Sequence, residues 1–312
     1  MRAVTIGPDD VQGAAGRIAG RVRRTPVVEM GEIHGASVVA KLELLQHTGS
    51  FKPRGAFNKL LSSEVSSAGV IAASGGNFGL AVAYAARETG VRAEIFIPAT
   101  SPEAKIARVR AQGADVTVVG GYYAEAQAAI GTRAAETGAL LMHPFDQPEV
   151  IAGQGTIGVE LDEQAPDLDT VLVAIGGGGL IAGIASWFDR RVRVIGVEPE
   201  RSQAMTAALA AGEPVTVEVG GVAADSLGAA RVGEHTFPIV QGGVERIVHV
   251  GDDAIREAQR ALWDDVHMIA EPGGAAAFAA LRSGAYEPSP GERICVLVCG
   301  ANCDPASVTG SG

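Results

Sequence analysis

The sequence predicts an α/β protein built from two doubly wound lobes with mainly parallel sheets. Short apolar, strand-like runs alternate with helix-like stretches from residue 70 to the last strand-like run. The alternation falls into two series, and the first lies within the second. The chain has 312 residues, of which 47% are hydrophobic, so it is long enough for two domains with separate cores. We expect a small domain of residues 69–146, inserted in a large domain of residues 1–68 and 147–312.

The first series contains four predicted strands. They are VIAAS (70–74), RAEIFIP (92–98), DVTVVG (115–120) and ALLMHP (139–144). Helices are predicted over 77–90, 102–113 and 122–138. Pro102 stands near the start of one helix, and Gly90 and Gly113 stand at helix ends, as the conformations of these residues favour.

The second series follows a predicted helix over 148–163. Its strands are TVLVAI (170–175), RVRVIGVE (191–198), VERIVHV (244–250) and ICVLVC (294–299). Its further helices are predicted over 179–189, 201–211, 252–264 and 272–282.

The composition excludes several classes of function. A net charge of −11 argues against nucleic acid or an anionic membrane as the main partner. No apolar run approaches the roughly 18 residues of a membrane span. The first twenty residues lack the apolar core of a signal peptide. We therefore expect a cytoplasmic protein that acts on a small molecule.

The cysteines recur every four residues in ICVLVCGANC, but they do not predict a metal site. Cys295 and Cys299 fall in a predicted strand, where residues four apart lie about 13 Å from each other. That separation is too large for two ligands of one zinc ion. We expect no metal site made from these cysteines or from the histidines, which show no ligand spacing.

Lys52 stands out within QHTGSFKPRGAF (46–57). The chain has only four lysines against 21 arginines. Arginine stays protonated, whereas a lysine amine can lose its proton and attack a carbonyl group. Lys52 is therefore a candidate catalytic residue, although an ordinary surface lysine in a turn has the same local sequence.

Two glycine-rich loops lie between predicted strands and helices. In ASGGNFG (73–79), small residues let backbone N–H groups point at an anion. In IGGGGLIAG (175–183), four consecutive glycines favour a phosphate site. The second loop also matches the dinucleotide pattern G-x-G-x-x-A, with Glu198 ending the next strand about 20 residues later. The sequence leaves open whose phosphate is bound.

A third loop, VCGANCDP (298–305), also follows a strand, and ligands of open α/β sheets collect at the carboxyl ends of strands. A nicotinamide enzyme would explain the loop at 175–183 but not the lysine. Pyridoxal phosphate explains the lysine, the glycine loop and the small polar residues together.

The ordered set of motifs resembles the serine/threonine dehydratase and serine racemase family. The motifs are HTGSFKPRGAFNKL, SGGNFG, HPFDQPEVIAGQGT, GGGGLIAG, VEPE, EPGGAA and CGANCD. The resemblance runs from about Arg24 to Asp304, nearly the full chain. It implies fold type II of the pyridoxal-phosphate enzymes, as in the tryptophan synthase β subunit, and a homodimer is expected.

The resemblance also implies roles for single residues. Lys52 would hold the cofactor as a Schiff base, Phe51 would pack near its ring, and Asn77 would bind its 3′-oxygen. Cys299 would face the pyridine nitrogen without a charge. The 5′-phosphate would be bound by the backbone of Gly176, Gly177, Gly178, Gly179 and Leu180. The substrate carboxylate would be bound by Ser74, Gly75, Gly76 and Asn77.

The implied reaction is elimination of water from a β-hydroxy amino acid such as L-threonine or L-serine, giving a 2-oxo acid and ammonia. Lys52 would remove the Cα proton. The alternatives are a serine racemase, a β-replacement synthase on the same fold and an NAD-dependent oxidoreductase. Racemases of this family carry a serine as the second base where this chain has Gly75, so we expect slow racemisation.

Three positions depart from the family pattern. Phe78 replaces the histidine of many relatives and favours a bulkier or less polar substrate side chain. Asp225, in GGVAADSLGA, is expected on the substrate side and argues against acidic substrates. Relatives with a divalent cation have Asp six residues after the position of Glu198; here Ala204 stands there. A monovalent cation held by carbonyl groups stays compatible with the sequence.

Overall fold

The computed structural model describes residues 5–120 and 123–309. Numbered in chain order, the strands are Val27–Ile33 (β1), Ala36–Lys41 (β2), Val70–Ala73 (β3), Ala93–Pro98 (β4), Asp115–Val119 (β5), Leu140–Met142 (β6), Thr170–Ala174 (β7), Arg193–Pro199 (β8), Arg246–Val250 (β9) and Arg293–Leu297 (β10). The helices are Pro8–Ile18 (α1), Pro53–Leu61 (α2), Asn77–Thr89 (α3), Glu103–Arg110 (α4), Tyr123–Thr137 (α5), Pro148–Gln164 (α6), Gly179–Phe188 (α7), Ala204–Ala211 (α8), Ala224–Leu227 (α9), Thr236–Gly243 (α10), Asp252–Val266 (α11), Pro272–Arg282 (α12) and Ala306–Thr309 (α13).

Two sheets divide the chain into two lobes. The small lobe contains a four-stranded parallel sheet in the order β5-β4-β3-β6. The large lobe contains a six-stranded sheet in the order β1-β2-β10-β7-β8-β9, in which only the edge pair β1-β2 is antiparallel. The fold is therefore α/β with mainly parallel sheets, as predicted.

Strand–helix alternation was predicted closely, and the differences lie at element ends, in the first 68 residues and in three short helices further along the chain. Strand β10 ends at Leu297, two residues before its predicted end, so Cys299 lies in the following loop. The predicted start of the helix at residue 122 lies outside the described residues. The sequence analysis did not predict α1, the β1-β2 pair, α2, α9, α10 or α13.

Glycines bring α6 against both of its neighbouring helices. A Cβ added at Gly153 would lie 2.6 Å from the carbonyl oxygen of Arg54 in α2, and one at Gly155 would lie 2.6 Å from the carbonyl oxygen of Gly183 in α7. Only glycine permits this spacing, because a methyl group would force the helices apart. Helix α6 therefore holds two elements that flank the candidate site, α2 behind Lys52 and α7 behind the glycine loop.

Over the described ranges, no helix has both the length and the apolar character needed to cross a membrane.

Candidate active site

The candidate site lies where three loops at the carboxyl ends of strands face the start of α2. The loops follow β3, β7 and β10, as the sequence analysis predicted. The start of α2 is tied to the third loop, because the Phe51 amide donates to the carbonyl oxygen of Cys299 at 3.2 Å. Lys52 therefore stands beside the loops that the sequence analysis singled out.

Lys52 directly precedes Pro53, the first residue of α2. Its Nζ donates to the carbonyl oxygen of Pro144 at 2.9 Å. The same atom lies 4.9 Å from the ring centroid of Phe51 and 5.8 Å from that of Phe78. Burial lowers the pKa of the Lys52 amine to about 8, so about a tenth of the amine is neutral at pH 7, far more than at the ordinary lysine pKa.

The HPFDQP stretch supplies the Pro144 carbonyl through a tight loop. Nδ1 of His143 accepts from the amide of Asp146 at 2.9 Å, and burial lowers the pKa of His143 to about 4. The Asp146 carboxylate in turn accepts from the amides of Glu234 and His235 at 2.9 and 2.8 Å. Hydrogen bonds to the large lobe thus hold the loop whose Pro144 carbonyl accepts from Lys52.

The glycine loop presents unpaired backbone donors. Residues 177–180 are buried, yet within the described chain the amides of Gly176 to Leu180 donate to no carbonyl or side-chain acceptor. Gly178 has φ +94°, a conformation that L side chains rarely adopt, and α7 begins at the next residue. Buried N–H groups need hydrogen-bond acceptors, and a helix start favours an anionic one, so the loop fits the phosphate of pyridoxal phosphate.

The dinucleotide interpretation of this loop does not fit the structure. In that interpretation the acidic residue at the end of the next strand binds a ribose hydroxyl. The corresponding Glu198 is fully buried, and its carboxylate accepts from the amides of Met205 and Thr206 at 2.7 and 3.0 Å. Glu198 therefore stabilises the start of α8 instead of facing a ligand.

The loop after β3 has a similar arrangement at the start of α3. The Gly76 amide donates to Oγ of Ser74 at 3.2 Å, whereas within the described residues the amides of Gly75 and Asn77 have no acceptor. A Cβ added at Gly76 would meet nothing within 4 Å, so this glycine borders open space. The two free amides are suited to a carboxylate.

Asn77 is held by residues of the large lobe. Its Nδ2 donates to Oε1 of Glu271 at 2.7 Å, and its Oδ1 accepts from Nδ2 of Asn302 at 2.6 Å. Glu271 is 6% exposed, and burial raises its pKa to about 7. The sequence analysis assigned no role to Glu271 or Asn302, although both stand in quoted motifs, EPGGAA and CGANCD.

Cys299 is buried, with Sγ 3.6 Å from the carbonyl oxygen of Gly273. Burial raises the pKa of its thiol to about 12, so the side chain stays neutral. A neutral partner agrees with the role that the resemblance implies for this residue.

Asp225 does not line the interior of the site. Its side chain is 72% exposed and forms an ion pair with Lys105 of the small lobe.

Phe145, which the sequence analysis did not single out, packs so closely against the glycine loop that a Cβ added at Gly177 would overlap its ring. Among the described residues, no group of three His, Cys, Asp or Glu side chains could hold a metal ion.

Comparisons with known proteins agree with this geometry. A family model described as pyridoxal-phosphate dependent enzyme matches residues 18–300. The L-threonine ammonia-lyase of Geobacter sulfurreducens is 39% identical over 307 residues, which cover 96% of this chain and 76% of the relative. The phenylserine dehydratase of Ralstonia pickettii is 38% identical over 308 residues, covering 95% of this chain and 93% of the relative.

Solved structures show the same similarity in three dimensions. Maize serine racemase superimposes with a TM-score of 0.93 at 33% identity, over 99% of this chain and 97% of that one. Isoform 2 of the threonine deaminase from Solanum lycopersicum, in its processed form, gives a TM-score of 0.87 at 33% identity, over 99% and 96% of the two chains. The chain belongs to the family of pyridoxal-phosphate-dependent enzymes.

Proposed function

We propose that this enzyme eliminates water from a β-hydroxy amino acid such as L-threonine or L-serine, giving a 2-oxo acid and ammonia. The observation that carries the proposal is the partly neutral Lys52 amine, which stands in one cleft with the unpaired amides of the glycine loop. The names of similar proteins, L-threonine ammonia-lyase and phenylserine dehydratase, support the same reaction.

Each part of the reaction has a candidate group in the chain. When bound, pyridoxal phosphate supplies an electron sink conjugated to the substrate Cα. The Lys52 amine would be the base that takes the Cα proton. The free amides of Gly75 and Asn77, at the positive end of α3, hold the substrate carboxylate. The neutral thiol of Cys299 would face the pyridine nitrogen by the family resemblance and would supply no counter-charge there, which suits elimination.

The substrate side chain is the open part of this proposal. Phe78 is buried and its ring lies 5.8 Å from Nζ of Lys52, where many relatives have a histidine. An aromatic ring near the reacting lysine favours an apolar group on the substrate Cβ, as in 3-phenylserine. L-threonine and 3-phenylserine are therefore the two candidate substrates, with L-serine as the smaller reference.

The test is a panel of β-hydroxy amino acids assayed for ammonia and 2-oxo acid. We expect turnover of at least one of the three by the unaltered protein and none by Lys52→Ala. After borohydride reduction, peptide mapping should find the pyridoxyl group on Lys52. A label on Lys41, Lys59 or Lys105 would overturn the assignment of Lys52, and turnover without ammonia would overturn the reaction.

We also propose the organisation in which the reaction occurs. Residues 69–146 form a small domain that closes over the substrate, and residues 1–68 with 147–312 form the large cofactor-binding domain. We expect a homodimer from the family resemblance and a cytoplasmic location from the sequence analysis. Light scattering of the purified protein tests the dimer, and cell fractionation tests the location.

A further inference from the structure

We propose that Arg108, Asn302 and Glu271 are positioning residues that fix which way the Asn77 amide faces, so that Asn77 can offer only N–H to the cofactor. The inference rests on the proposed function and on the contact between Asn77 and the cofactor's 3′-oxygen that the family resemblance implies. It concerns a chain of hydrogen bonds that runs from the surface of α4 to the interior of the site.

The direction of this chain follows from its two unambiguous ends. The oxygen and nitrogen of an amide are distinguished by their partners, not by shape. Arg108 Nη2, which can only donate, lies 2.6 Å from Oδ1 of Asn302. The carbonyl oxygen of Thr48, which can only accept, lies 2.8 Å from Nδ2 of Asn302. Both partners assign the same orientation to the Asn302 amide.

That orientation decides the next amide along the chain. Nδ2 of Asn302 carries two hydrogens, and the second points at Oδ1 of Asn77 at 2.6 Å. Oδ1 of Asn77 is therefore occupied, and Nδ2 lies on the other side, where it donates one hydrogen to Glu271 at 2.7 Å. Within the described residues its second hydrogen has no acceptor. The second N–H of Asn77 is thus its free donor, whereas Oδ1 faces Asn302 and already accepts from it.

A donor at this place selects the charge of the oxygen that it meets. Hydrogen bonds from N–H groups stabilise an ionised oxygen more than a neutral hydroxyl. This chain of hydrogen bonds therefore favours the ionised form of the cofactor's 3′-oxygen. An amide turned the other way would place Oδ1 there and favour the protonated form.

The chain of hydrogen bonds also joins the two lobes. Asn77 and Arg108 belong to the small lobe, whereas Thr48, Glu271 and Asn302 belong to the large lobe. The amide is oriented only when both lobes supply their partners. The state of the cofactor oxygen is therefore coupled to the contact between the lobes.

The test uses Asn302→Asp, Arg108→Met and the control Arg110→Met in the cofactor-loaded enzyme. Asn302→Asp has nearly the same shape but removes the donor to Asn77. Arg108→Met removes the outer donor, and Arg110 is an exposed arginine of the same helix that pairs with Glu103 instead. The readouts are the pH titration of the cofactor's visible absorption and the affinity of the apoenzyme for pyridoxal phosphate.

We expect Asn302→Asp to raise the apparent pKa of the cofactor's spectral transition by about one unit, equivalent to about a tenfold change in the ratio of the two forms. Cofactor affinity should fall by about tenfold as well, because one oriented hydrogen bond to a charged group is weakened. Arg108→Met should move both quantities in the same direction by less, and Arg110→Met should move neither.

Folding and the proposed function are checked separately. If Asn302→Asp does not fold, the exposed substitution Arg108→Met decides the question by the same readouts. A folded Asn302→Asp or Arg108→Met protein with an unchanged spectrum and cofactor affinity overturns the inference. Because the unaltered protein then still binds cofactor and releases ammonia, that result leaves the proposed function intact.

Discussion

The reactivity of Lys52 is set by the atoms within a few ångströms of its amine. Nζ has one carbonyl partner at 2.9 Å and lies beside the rings of Phe51 and Phe78. These surroundings replace water poorly, so the charged form is disfavoured and the pKa falls from 10.5 to about 8. The charge of Glu271 opposes this shift but does not cancel it.

The lowered pKa predicts how fast apoenzyme takes up its cofactor at different pH values. Attachment requires a neutral amine, and the neutral fraction in the folded apoenzyme is one half at pH 8 and levels off above about pH 9. We therefore expect the rate at which visible absorption develops, after mixing with pyridoxal phosphate, to increase with pH and then become constant above about pH 9. A rate that keeps increasing towards the ordinary lysine pKa of 10.5 would contradict the assigned environment.

We expect Gly75 to limit racemisation, and the structure adds a steric reason that the sequence could not show. By the family resemblance Gly75 stands where racemases carry the second base, and the structure leaves no room for a side chain there. A Cβ at Gly75 would overlap Oγ of Ser101 and would lie 2.9 Å from Cγ2 of Ile97. Both approaches are closer than van der Waals contact, so Gly75→Ser alone should distort the loop.

This steric limit gives a prediction with a matched set of variants. Gly75→Ser/Ser101→Gly removes the nearer obstacle and should raise the ratio of D-serine to pyruvate formed from L-serine. Gly75→Ser alone should lower turnover without that increase, and Ser101→Gly alone is the control for the lost hydroxyl. Chiral chromatography of the residual serine measures the ratio. Rapid D-serine formation by the unaltered protein would contradict the role given to Gly75.

At the scale of elements, α2 is anchored by a buried ionic cluster. Arg54 binds both oxygens of Glu43 at 2.8 and 2.7 Å and one oxygen of Glu160 at 2.7 Å. The other oxygen of Glu160 accepts from Lys41 of β2 at 2.5 Å. Arg54, Glu43 and Lys41 are all fully buried. The cluster therefore joins α2, which follows Lys52 directly, to β2 and α6.

Removing one member of this buried cluster should lower the free energy of unfolding far more than removing an exposed ion pair. Arg54→Met leaves the Glu43 carboxylate buried without its partner, which costs about 3–5 kcal/mol of unfolding free energy. Arg54→Met/Glu43→Leu removes both charges and should recover part of the loss. The control is Arg24→Met, whose exposed pair with Glu163 contributes about 0–1 kcal/mol. Urea denaturation measures all three, and equal losses from Arg54→Met and Arg24→Met would contradict the prediction.

Local pattern explains which elements the sequence could predict. After residue 69, apolar runs bounded by glycine and proline located every described strand and all described helices except α9, α10 and α13. Helix α2 was missed because Pro53, a residue suited to the first turn of a helix, stands in a stretch rich in turn-forming residues. Lys52 and the glycine loop could be predicted because each forms a motif of residues that are adjacent in the sequence. The Asn77–Glu271 contact joins positions 194 apart, and no local pattern signals it.

At the scale of the whole molecule, one ion pair and one hydrogen bond from a charged donor join the two lobes. Lys105 and Arg108 of α4 belong to the small lobe and contact Asp225 and Asn302 of the large lobe. If the small domain closes over the substrate as proposed, these contacts would favour the closed arrangement, which would shield the reacting groups from water. Asp225 therefore has a candidate role in closure, which differs from the substrate contact expected from the sequence.

A double-mutant cycle separates these two roles of Asp225. If the ion pair holds the lobes together, Lys105→Met and Asp225→Asn should each raise KM for the best substrate by up to about fivefold, the limit for an exposed pair. The double variant should be no worse than the worse single variant, since the pair is lost only once. Arg231→Met, which breaks an exposed pair within the large lobe, should leave KM unchanged. If Asp225 contacts the substrate instead, Asp225→Asn will change the preference between L-threonine and 3-phenylserine, Lys105→Met will not, and the two effects will add.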